Sequence, residues 1–386
     1  MGILRPLVIA SDVHLRHGGS HDTALALSRL IREHPGHEFV LDGDIFNLSC
    51  DAPERDPVES VLHMLEPHRE LCQELRQHLA TGAPVTLLAG NHDAATMRPE
   101  LRPALLGRLE LDLGAPFENL PWFIRRGGVH IEHGHVYDPD NAPTHPLWYG
   151  GPETEPLGVA LTRRFLAPNA AYDFAHEHEV TPVAGLRKAF RLFGLRTPEL
   201  VYRYFQTATA LCWEASTDRG VSEAIRQGNA HLAEAAERMD VPEEDLRALL
   251  ESLPRPTHHD ARDTFYRLYF DRVIASVTST TSIGIGTLLR SRPALLLGVL
   301  AAGYLFGSVR KTPNRYAELP VERLRQAARA VREITRAELV VFGHVHVEDA
   351  LPGYANSASF TYYETPGHPY LHVDESGRFE RRRVPL

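Results

Sequence analysis

Five short polar clusters in the sequence contain residue types that bind divalent metal ions. They are Asp12-Val13-His14, Asp42-Gly43-Asp44, Gly90-Asn91-His92-Asp93, His133-Gly134-His135 and Gly343-His344-Val345-His346. Carboxylate, amide and imidazole groups are common ligands of Mn²⁺, Fe²⁺ and Zn²⁺ in proteins. Any one cluster is equally well explained as a solvated turn, so a metal site is predicted only if all five meet.

The segments that precede the clusters are predicted strands, which would bring the clusters together in space. Each cluster follows a short apolar run: Leu7–Ala10, Phe39–Leu41, Val85–Leu88, Val129–Ile131 or Leu339–Phe342. Such runs predict strands, and the amphipathic segments 23–34, 58–80 and 321–336 predict helices. Because ligands of open α/β sheets bind beyond the carboxyl ends of the strands, the clusters are expected at one edge. The chain is therefore predicted to have an α/β fold.

The ordered set of clusters resembles the calcineurin-like metallophosphoesterase family. Its motifs run DxH, GDxx[D/N], GNH[D/E], a His followed by Gly, and GHxH, and residues 5–140 and 318–365 carry all of them. Segment 354–359 also resembles the family's Asn-x-Gly-Ser segment, with Ala358 where glycine is usual. The resemblance implies a two-sheet β sandwich flanked by helices.

The resemblance also implies a dinuclear metal centre. It assigns one ion to Asp12, His14, Asp44 and His346, and the other to Asp44, Asn91, His133 and His344. A shared carboxylate at Asp44 would offset the repulsion between the two ions, and a water between them would lose a proton and attack phosphorus in line. Mn²⁺ is the expected metal, with Fe and Zn²⁺ as alternatives.

Two further residues are catalytic candidates by the same resemblance. His92 is expected to contact a phosphoryl oxygen or to protonate the leaving group, and Asp93 to fix its ring; a structural histidine is the alternative for His92. The role of His135 stays open between orienting a ligand, contacting the substrate and lying in a loop.

The amino-acid composition argues against some classes of partner and favours one cellular compartment. Lys and Arg number 41 against 50 Asp and Glu, and this net charge of −9 argues against a nucleic-acid partner. The three cysteines show no CxxC spacing, which favours a reducing compartment over a disulfide framework. No export signal is recognisable at the start of the sequence, so a cytoplasmic protein is expected.

The middle of the sequence differs from both ends. From about residue 150 to 315, long helical patterns broken by prolines replace the strand signals. The predicted organisation is a metallophosphoesterase domain in two parts, 1–149 and 316–386, interrupted by a helical insertion or cap over 150–315.

Three segments of the insertion have compositions that are typical of contact with a membrane. Segments 273–289 and 293–309 carry no charged residue, and their seventeen residues each are at the lower limit for a spanning helix. A buried core hairpin is the alternative explanation. Segment 185–196 alternates bulky apolar residues with cations, as membrane-surface helices do. Peripheral contact through 185–196 and 273–311, on the inner membrane face, is therefore a hypothesis.

The function predicted from these features is metal-dependent hydrolysis of phosphate esters or anhydrides, with a phosphorylated small molecule or a lipid-linked, amphipathic compound as substrate. The His-Gly motif and the helical insertion resemble the branch that includes UDP-2,3-diacylglucosamine pyrophosphohydrolase, although His92 and His135 stand where that branch has Arg and Asp. A nuclease or cyclic-nucleotide phosphodiesterase is one alternative. A non-catalytic scaffold on the same fold is another.

Overall fold

The structure, a computed structural model, describes residues 5–52, 54–151, 154–171, 182–217, 220–312, 315, 319–363 and 365–385, with the backbone alone at 182–186 and 319. The chain divides into two compact units. The sheet unit comprises Met1–Pro168, Arg219–Pro256 and Pro320–Leu386, and the helical unit comprises Asn169–Asp218 and Thr257–Leu319.

Two β-sheets form the centre of the sheet unit. The strands are β1 (Leu7–Ala10), β2 (Glu38–Asp42), β3 (Val85–Leu88), β4 (Phe117–Leu120), β5 (Phe123–Arg126), β6 (Val129–Glu132), β7 (Leu339–Phe342), β8 (Ala350–Leu351), β9 (Tyr354–Asn356), β10 (His368–Val373) and β11 (Phe379–Val384). The first sheet has the order β11-β10-β1-β2-β3-β4, and the second has the order β5-β6-β7-β9-β8. Strands β1 to β4 are parallel, as are β6, β7 and β9.

The helices occupy the outer layers of the sheet unit and build the helical unit. In the sheet unit they are α1 (His21–Glu33), α2 (Pro57–Leu65), α3 (Arg69–Ala80), α4 (Leu101–Arg108), α5 (Leu157–Leu161), α8 (Val221–Ala230), α9 (Leu232–Arg238), α10 (Glu243–Ser252) and α14 (Leu319–Thr335). In the helical unit they are α6 (Pro182–Phe193), α7 (Thr197–Glu214), α11 (Ala261–Arg267), α12 (Phe270–Leu288) and α13 (Arg292–Lys311).

Alternation along β1 shows how the layers are filled. Leu7 and Ile9 point into the core between the two sheets, whereas Val8 and Ala10 pack against the helical layer that includes α1 and α3. This alternation is the period of two expected when both faces of a strand are covered. The second sheet is covered on its outer face by α9, α10 and α14. The predicted two-sheet sandwich with flanking helices is confirmed.

Two details differ from the sequence prediction. Segment 58–80 is not one helix but α2 and α3, because Pro67 lies between them and proline removes a helical hydrogen bond. The predicted insertion 150–315 is shared between the units, since residues 219–256 lie in the sheet unit. There α9 and α10 bury Leu232 and Leu246 against the second sheet, so their apolar faces are already partnered.

A buried polar network fixes the end of β6, just before the cluster at 133–135. Glu132 is fully buried, and its carboxylate accepts hydrogen bonds from Trp122 Nε1 at 2.5 Å and from the Tyr137 hydroxyl at 3.0 Å. His130 Nε2 also lies 3.0 Å from Glu132 Oε1. A buried carboxylate is tolerated only with such partners, so the network ties β6 to the loop that follows it.

Glu132→Ala is expected to lower the free energy of unfolding by about 3–5 kcal/mol, because it leaves the buried Trp122 and Tyr137 donors without their acceptor. Thermal and urea unfolding of the full chain measure the change. Glu118→Ala, at an exposed position of β4, is the matched control and should change stability by no more than about 0.5 kcal/mol. Equal effects of the two substitutions would contradict the role given to Glu132.

In the helical unit, α12 and α13 pack against each other as an antiparallel hairpin. Within the described ranges, α13 is the one helix long and apolar enough to cross a membrane, judged by length and composition alone, and only 6% of its most apolar stretch is buried. The alternative of a buried core hairpin is therefore wrong.

Candidate metal centre

The loops after β1 and β2 lie side by side and bring the first two clusters together. Asp12 N donates a hydrogen bond to Gly43 O, and His14 N donates to Asp44 O at 2.9 Å. Gly43 has a φ of +74°, and a Cβ there would lie 2.4 Å from His133 Cγ. Glycine is therefore required at position 43, both by the left-handed backbone and by the close approach of His133.

The backbone at the predicted ligands is unusual. Five of the seven predicted metal ligands have a positive φ, between 50° and 69°: Asp12, His14, Asp44, His344 and His346. Non-glycine residues seldom adopt this conformation, which costs of order 1–3 kcal/mol and persists where the surrounding structure enforces it. Such strain collected in one place indicates a functional site.

The first candidate ligand group contains Asp12, His14 and His346. His346 Nε2 lies 3.0 Å from Asp12 Oδ1, and His14 Nε2 lies 3.4 Å from His346 Nε2 and 3.8 Å from Asp12 Oδ1. Bonds of about 2.0–2.2 Å to one ion place neighbouring ligand atoms roughly 3 Å apart. The three atoms therefore have the spacing that a single ion needs.

The second candidate group contains Asp12, Asp44 and His133. His133 Nε2 lies 3.3 Å from Asp44 Oδ2, while its Nδ1 lies 2.8 Å from Asp42 O, which fixes the ring. The two groups share Asp12, whereas the resemblance implies Asp44 as the shared ligand. Asp44 Oδ1 is occupied by a 2.7 Å hydrogen bond from His92 N, which leaves Oδ2 for a cation.

Asn91 and His344 border these groups without belonging to them. Asn91 Nδ2 donates to Asn141 Oδ1, and its buried Oδ1 has no hydrogen-bond partner among the described residues. Asn91 thus presents a bare oxygen, as a metal ligand would. His344 Nε2 lies 3.1 Å from Asp138 Oδ2, and its ring centroid is 5.4 Å from that of His133.

The electrostatics of the site favour cations. Burial acts to raise the pKa of Asp12 and Asp44, but the neighbouring imidazoles, of which His133 has the largest effect, together hold both pKa values below their usual range. Conversely, burial acts to lower the pKa of His133, but Asp44 and Asp12 raise it to about 10. Burial lowers the pKa of His14 to about 3, so this imidazole is neutral and able to ligate. Two buried carboxylates beside the neutral imidazole of His14 suit a divalent ion, which would displace the proton that His133 holds at its Asp partners.

Residues 5–184 match the family model described as calcineurin-like phosphoesterase. The chain therefore contains a calcineurin-like phosphoesterase domain. Searches among curated proteins and among solved structures found no match. The matched region includes β1 to β6 and the first four clusters, and β7 brings His344 and His346 to them from beyond that region. The matched family indicates a phosphoric ester hydrolase, and the candidate ligand groups are consistent with the divalent metal ions that the family typically binds.

In this phosphoesterase, His92 lies against the metal centre. Its ring centroid is 5.3 Å from that of His14. Its Nδ1 lies 2.8 Å from Ser49 Oγ, which donates its proton to Asn47 Oδ1. Ser49 therefore accepts from Nδ1, so a neutral His92 carries its proton on Nδ1 and none on Nε2. Burial lowers the pKa of His92.

Asp93 does not contact the His92 ring, so its predicted role is wrong. Asp93 Oδ1 accepts hydrogen bonds from the backbone N–H groups of Gly90 and Asp44, and Oδ2 accepts from Ile45 and Phe46. An acceptor with two oxygens and no donor satisfies the unpaired N–H groups of two neighbouring loops. Asp93 therefore joins the loops after β2 and β3, and Ser49 is the residue that orients His92.

His135 is buried at the edge of a pocket beside the metal centre. Its ring centroid lies 5.4 Å from that of His133, and burial, followed by the charge of His133, holds its pKa well below the usual range. The pocket is lined by Asn91, Ala94, His135, Pro143, Thr144, Trp148, Tyr149, Thr154, Glu155, Pro156 and Ala224. The predicted ligand Asn91 is thus part of the pocket wall, which also includes two aromatic rings, two prolines, two threonines and Glu155.

Three residues at the site were missed by the sequence reasoning. Asp138 pairs with His344, Asn141 orients Asn91, and Ser49 orients His92. Asp138 and Asn141 lie within the polar run that follows His133-Gly134-His135, which was the signal that could have drawn attention to them. Ser49 follows Asn47 by two positions, but nothing in its sequence context indicates a contact with residue 92.

Proposed function

We propose that the protein hydrolyses phosphoric esters or anhydrides at a dinuclear centre that binds Mn²⁺. The observation that carries the proposal is the pair of ligand groups that meet at Asp12. His14 and His346 would hold one ion, Asp44 and His133 the other, and the oxygen of Asn91 faces the same region. When bound, the ions supply Lewis-acid polarisation of the phosphoryl group and an activated water.

The residues of this chain provide the remaining functions. Asp93 and Ser49 position the loop and the ring at the centre, and His92 presents Nε2 to the phosphoryl group or to the leaving oxygen. Hydrogen bonds of the loops, from Asp12 N to Gly43 O and from His92 N to Asp44 Oδ1, would hold the two carboxylates in place before a substrate arrives.

The pocket beside Asn91 supports an amphipathic or lipid-linked substrate. Trp148, Tyr149 and Pro143 offer apolar contacts to a leaving group whose phosphoryl end is held at the metals. Exposed apolar residues of the helical unit, including Phe190, Leu192 and Leu195 at the end of α6, would suit contact with the inner face of a membrane, where such substrates reside. We place the enzyme there, on the cytoplasmic side.

The test is elemental analysis of the purified full-length protein together with a substrate panel. Bound Mn²⁺ and turnover of an aryl phosphomonoester or phosphodiester are the expected results. Phospholipid-like and nucleotide substrates are then compared in detergent. Activity confined to soluble nucleotides would reject the lipid-linked substrate, and metal binding without turnover of any ester would favour a scaffold.

Trp148→Ala is expected to raise KM for substrates with a large apolar group by about 10-fold, since losing an aromatic contact in a pocket costs of order 1–3 kcal/mol. KM for methyl or ethyl esters of the same phosphate should change by less than about 2-fold. Leu113→Ala, which removes an exposed apolar side chain of the sheet unit that does not line the pocket, is the control. An equal rise in KM for all substrates would show that Trp148 does not contact the leaving group.

A further inference from the structure

The hairpin of α12 and α13 has small residues inside and large apolar residues outside. The buried positions of the two helices include Ala275, Ser279 and Gly286 on α12 and Gly298 on α13. A Cβ on Gly298 would lie 2.6 Å from Ile283 Cγ1, and one on Gly286 would lie 2.6 Å from Leu295 Cγ. The two backbones therefore approach closely through small residues, which is the packing typical of helices in membranes.

Many outward residues of the hairpin are large and apolar, and on α12 they are interspersed with the exposed Thr280, Thr281 and Thr287. The large apolar residues more than half exposed are Ile274, Val277, Leu288, Leu289, Leu296, Leu297, Val299, Leu300 and Phe306. Soluble helices expose polar residues and bury one apolar stripe, so this arrangement is the reverse of the usual one. On α13 the exposed positions 296, 297, 299 and 300 spread over about half of the helix circumference. One partner face would cover only part of that surface.

The dimensions of the hairpin match a bilayer. At 1.5 Å per residue, the uncharged stretches 273–289 and 293–309 are each about 26 Å long, at the lower limit for the roughly 30 Å hydrocarbon core. No charged residue lies in 273–289 or 293–309. Arg290 and Arg292 stand at the turn, and Arg310 and Lys311 at the opposite end, so cations border the apolar length on both sides.

Polar groups of the hairpin are satisfied at its base or within its own helices. At the base, Arg315 binds both oxygens of Asp271 at 2.8 and 2.7 Å, and Arg272 donates to Ser308 O at 3.0 Å. Along α12, the hydroxyls of Thr280 and Thr287 donate to backbone carbonyls four residues earlier. Hydroxyls paired in this way can face lipid, so Thr280 and Thr287 are compatible with a bilayer although both are exposed.

From these observations we infer that α12 and α13 span a lipid bilayer as an integral hairpin, with the turn at Arg290–Arg292 on the face opposite to the base. A lipid surface fits better than a second copy of the chain, because the apolar surface extends over the outer sides of both helices and is bounded by cations at both ends. The inference concerns the helical unit alone and does not depend on the catalytic proposal.

The first test is extraction of membranes from cells that express the full chain. An integral hairpin keeps the protein in the pellet after 1 M salt and after alkaline carbonate, and detergent releases it. Release by salt or carbonate would overturn the inference, as would a detergent-free soluble dimer or higher oligomer seen by light scattering.

The second test changes the outward surface. Leu297→Arg is expected to weaken partition into phosphatidylcholine vesicles about 100-fold, since an arginine near the middle of a spanning helix costs about 3 kcal/mol. Leu113→Arg changes a similarly exposed leucine of the sheet unit and should leave flotation unchanged. Hydrolysis of an aryl phosphate in detergent shows whether both variants are folded. A folded Leu297→Arg protein that floats like the original would contradict the spanning hairpin.

The third test uses the cations as protease sites. Trypsin added to sealed vesicles that contain the full chain should cut at Arg310 or Lys311 and leave Arg290 and Arg292 intact in the same molecules, giving a protected fragment with both helices. Vesicles with the opposite orientation should show the reverse pattern. Detergent should expose all the sites. Cleavage at both ends of one molecule in sealed vesicles would show that the hairpin lies on the surface.

Discussion

Asp12→Ala is expected to remove both metal ions and to lower kcat/KM at least about 1,000-fold. Asp12 belongs to both candidate ligand groups, so its loss takes a carboxylate from each. Metal ions contribute several kcal/mol of transition-state stabilisation, and about 4 kcal/mol corresponds to roughly a factor of 1,000 in rate. Metal content per chain, measured by elemental analysis, and turnover of an aryl phosphate are the two readouts.

Asp42→Asn is the matched control for that experiment. Asp42 is as deeply buried as Asp12, burial holds its pKa well above the usual range, and neither side-chain oxygen has a hydrogen-bond partner in the described ranges. Asparagine preserves the volume of this side chain and the backbone carbonyl that orients His133, and Asp42 belongs to neither ligand group, so metal content should not change. Retention of both ions by Asp12→Ala, or their loss from Asp42→Asn, would contradict the assignment.

Asp44→Ala distinguishes the structure from the family resemblance. If Asp12 is the shared carboxylate, as the two ligand groups indicate, this variant keeps the group of Asp12, His14 and His346 and retains one ion. If Asp44 is shared, as the resemblance implies, both ions are lost together. We expect one ion to remain, with turnover still reduced by at least about 100-fold because a dinuclear clamp needs both metals.

The residues that meet at the centre were predictable, but their contacts with each other were not. Asp12, His14 and His346 could be named because strand patterns and short motifs are local in sequence. Asp93 was misassigned because its partners are backbone N–H groups of a loop nearly fifty residues away. No residue type marks such a contact, since every residue except proline offers the same donor.

The domain boundaries show a similar limit. Helical texture predicted an insertion from 150 to 315, yet α9 and α10 complete the apolar outer face of the second sheet. Composition cannot distinguish a helix that covers a sheet from one in a separate unit, because both have one apolar face. The same limit applies to the hairpin of α12 and α13. Its apolar composition was evident from the sequence, but which residues face outward became clear only when the structure placed Gly286 and Gly298 at the contact between the helices.

His92→Ala is expected to keep the metal content and to lower kcat by about 100-fold or more, the usual contribution of a positioned proton donor or acceptor. Its ring reaches the centre beside His14, and the variant removes no member of either ligand group. Ser49→Ala leaves the ring but removes the group that orients it, so a smaller loss of about 10-fold is expected.

The dependence of kcat on the leaving group distinguishes the two roles that His92 could have. If His92 protonates the leaving oxygen, the loss in kcat grows as the pKa of the leaving alcohol rises, because a p-nitrophenolate departs without a proton and an alkoxide does not. If His92 contacts a phosphoryl oxygen, the loss is the same for both, because that contact stabilises charge whatever group departs. Because Nδ1 carries the proton of the neutral ring, either role requires a second proton on Nε2, and we expect a clear dependence on the leaving group only in the first case. A His92→Ala enzyme with normal turnover of a poor leaving group would exclude both roles and leave the ring as a structural support for His14.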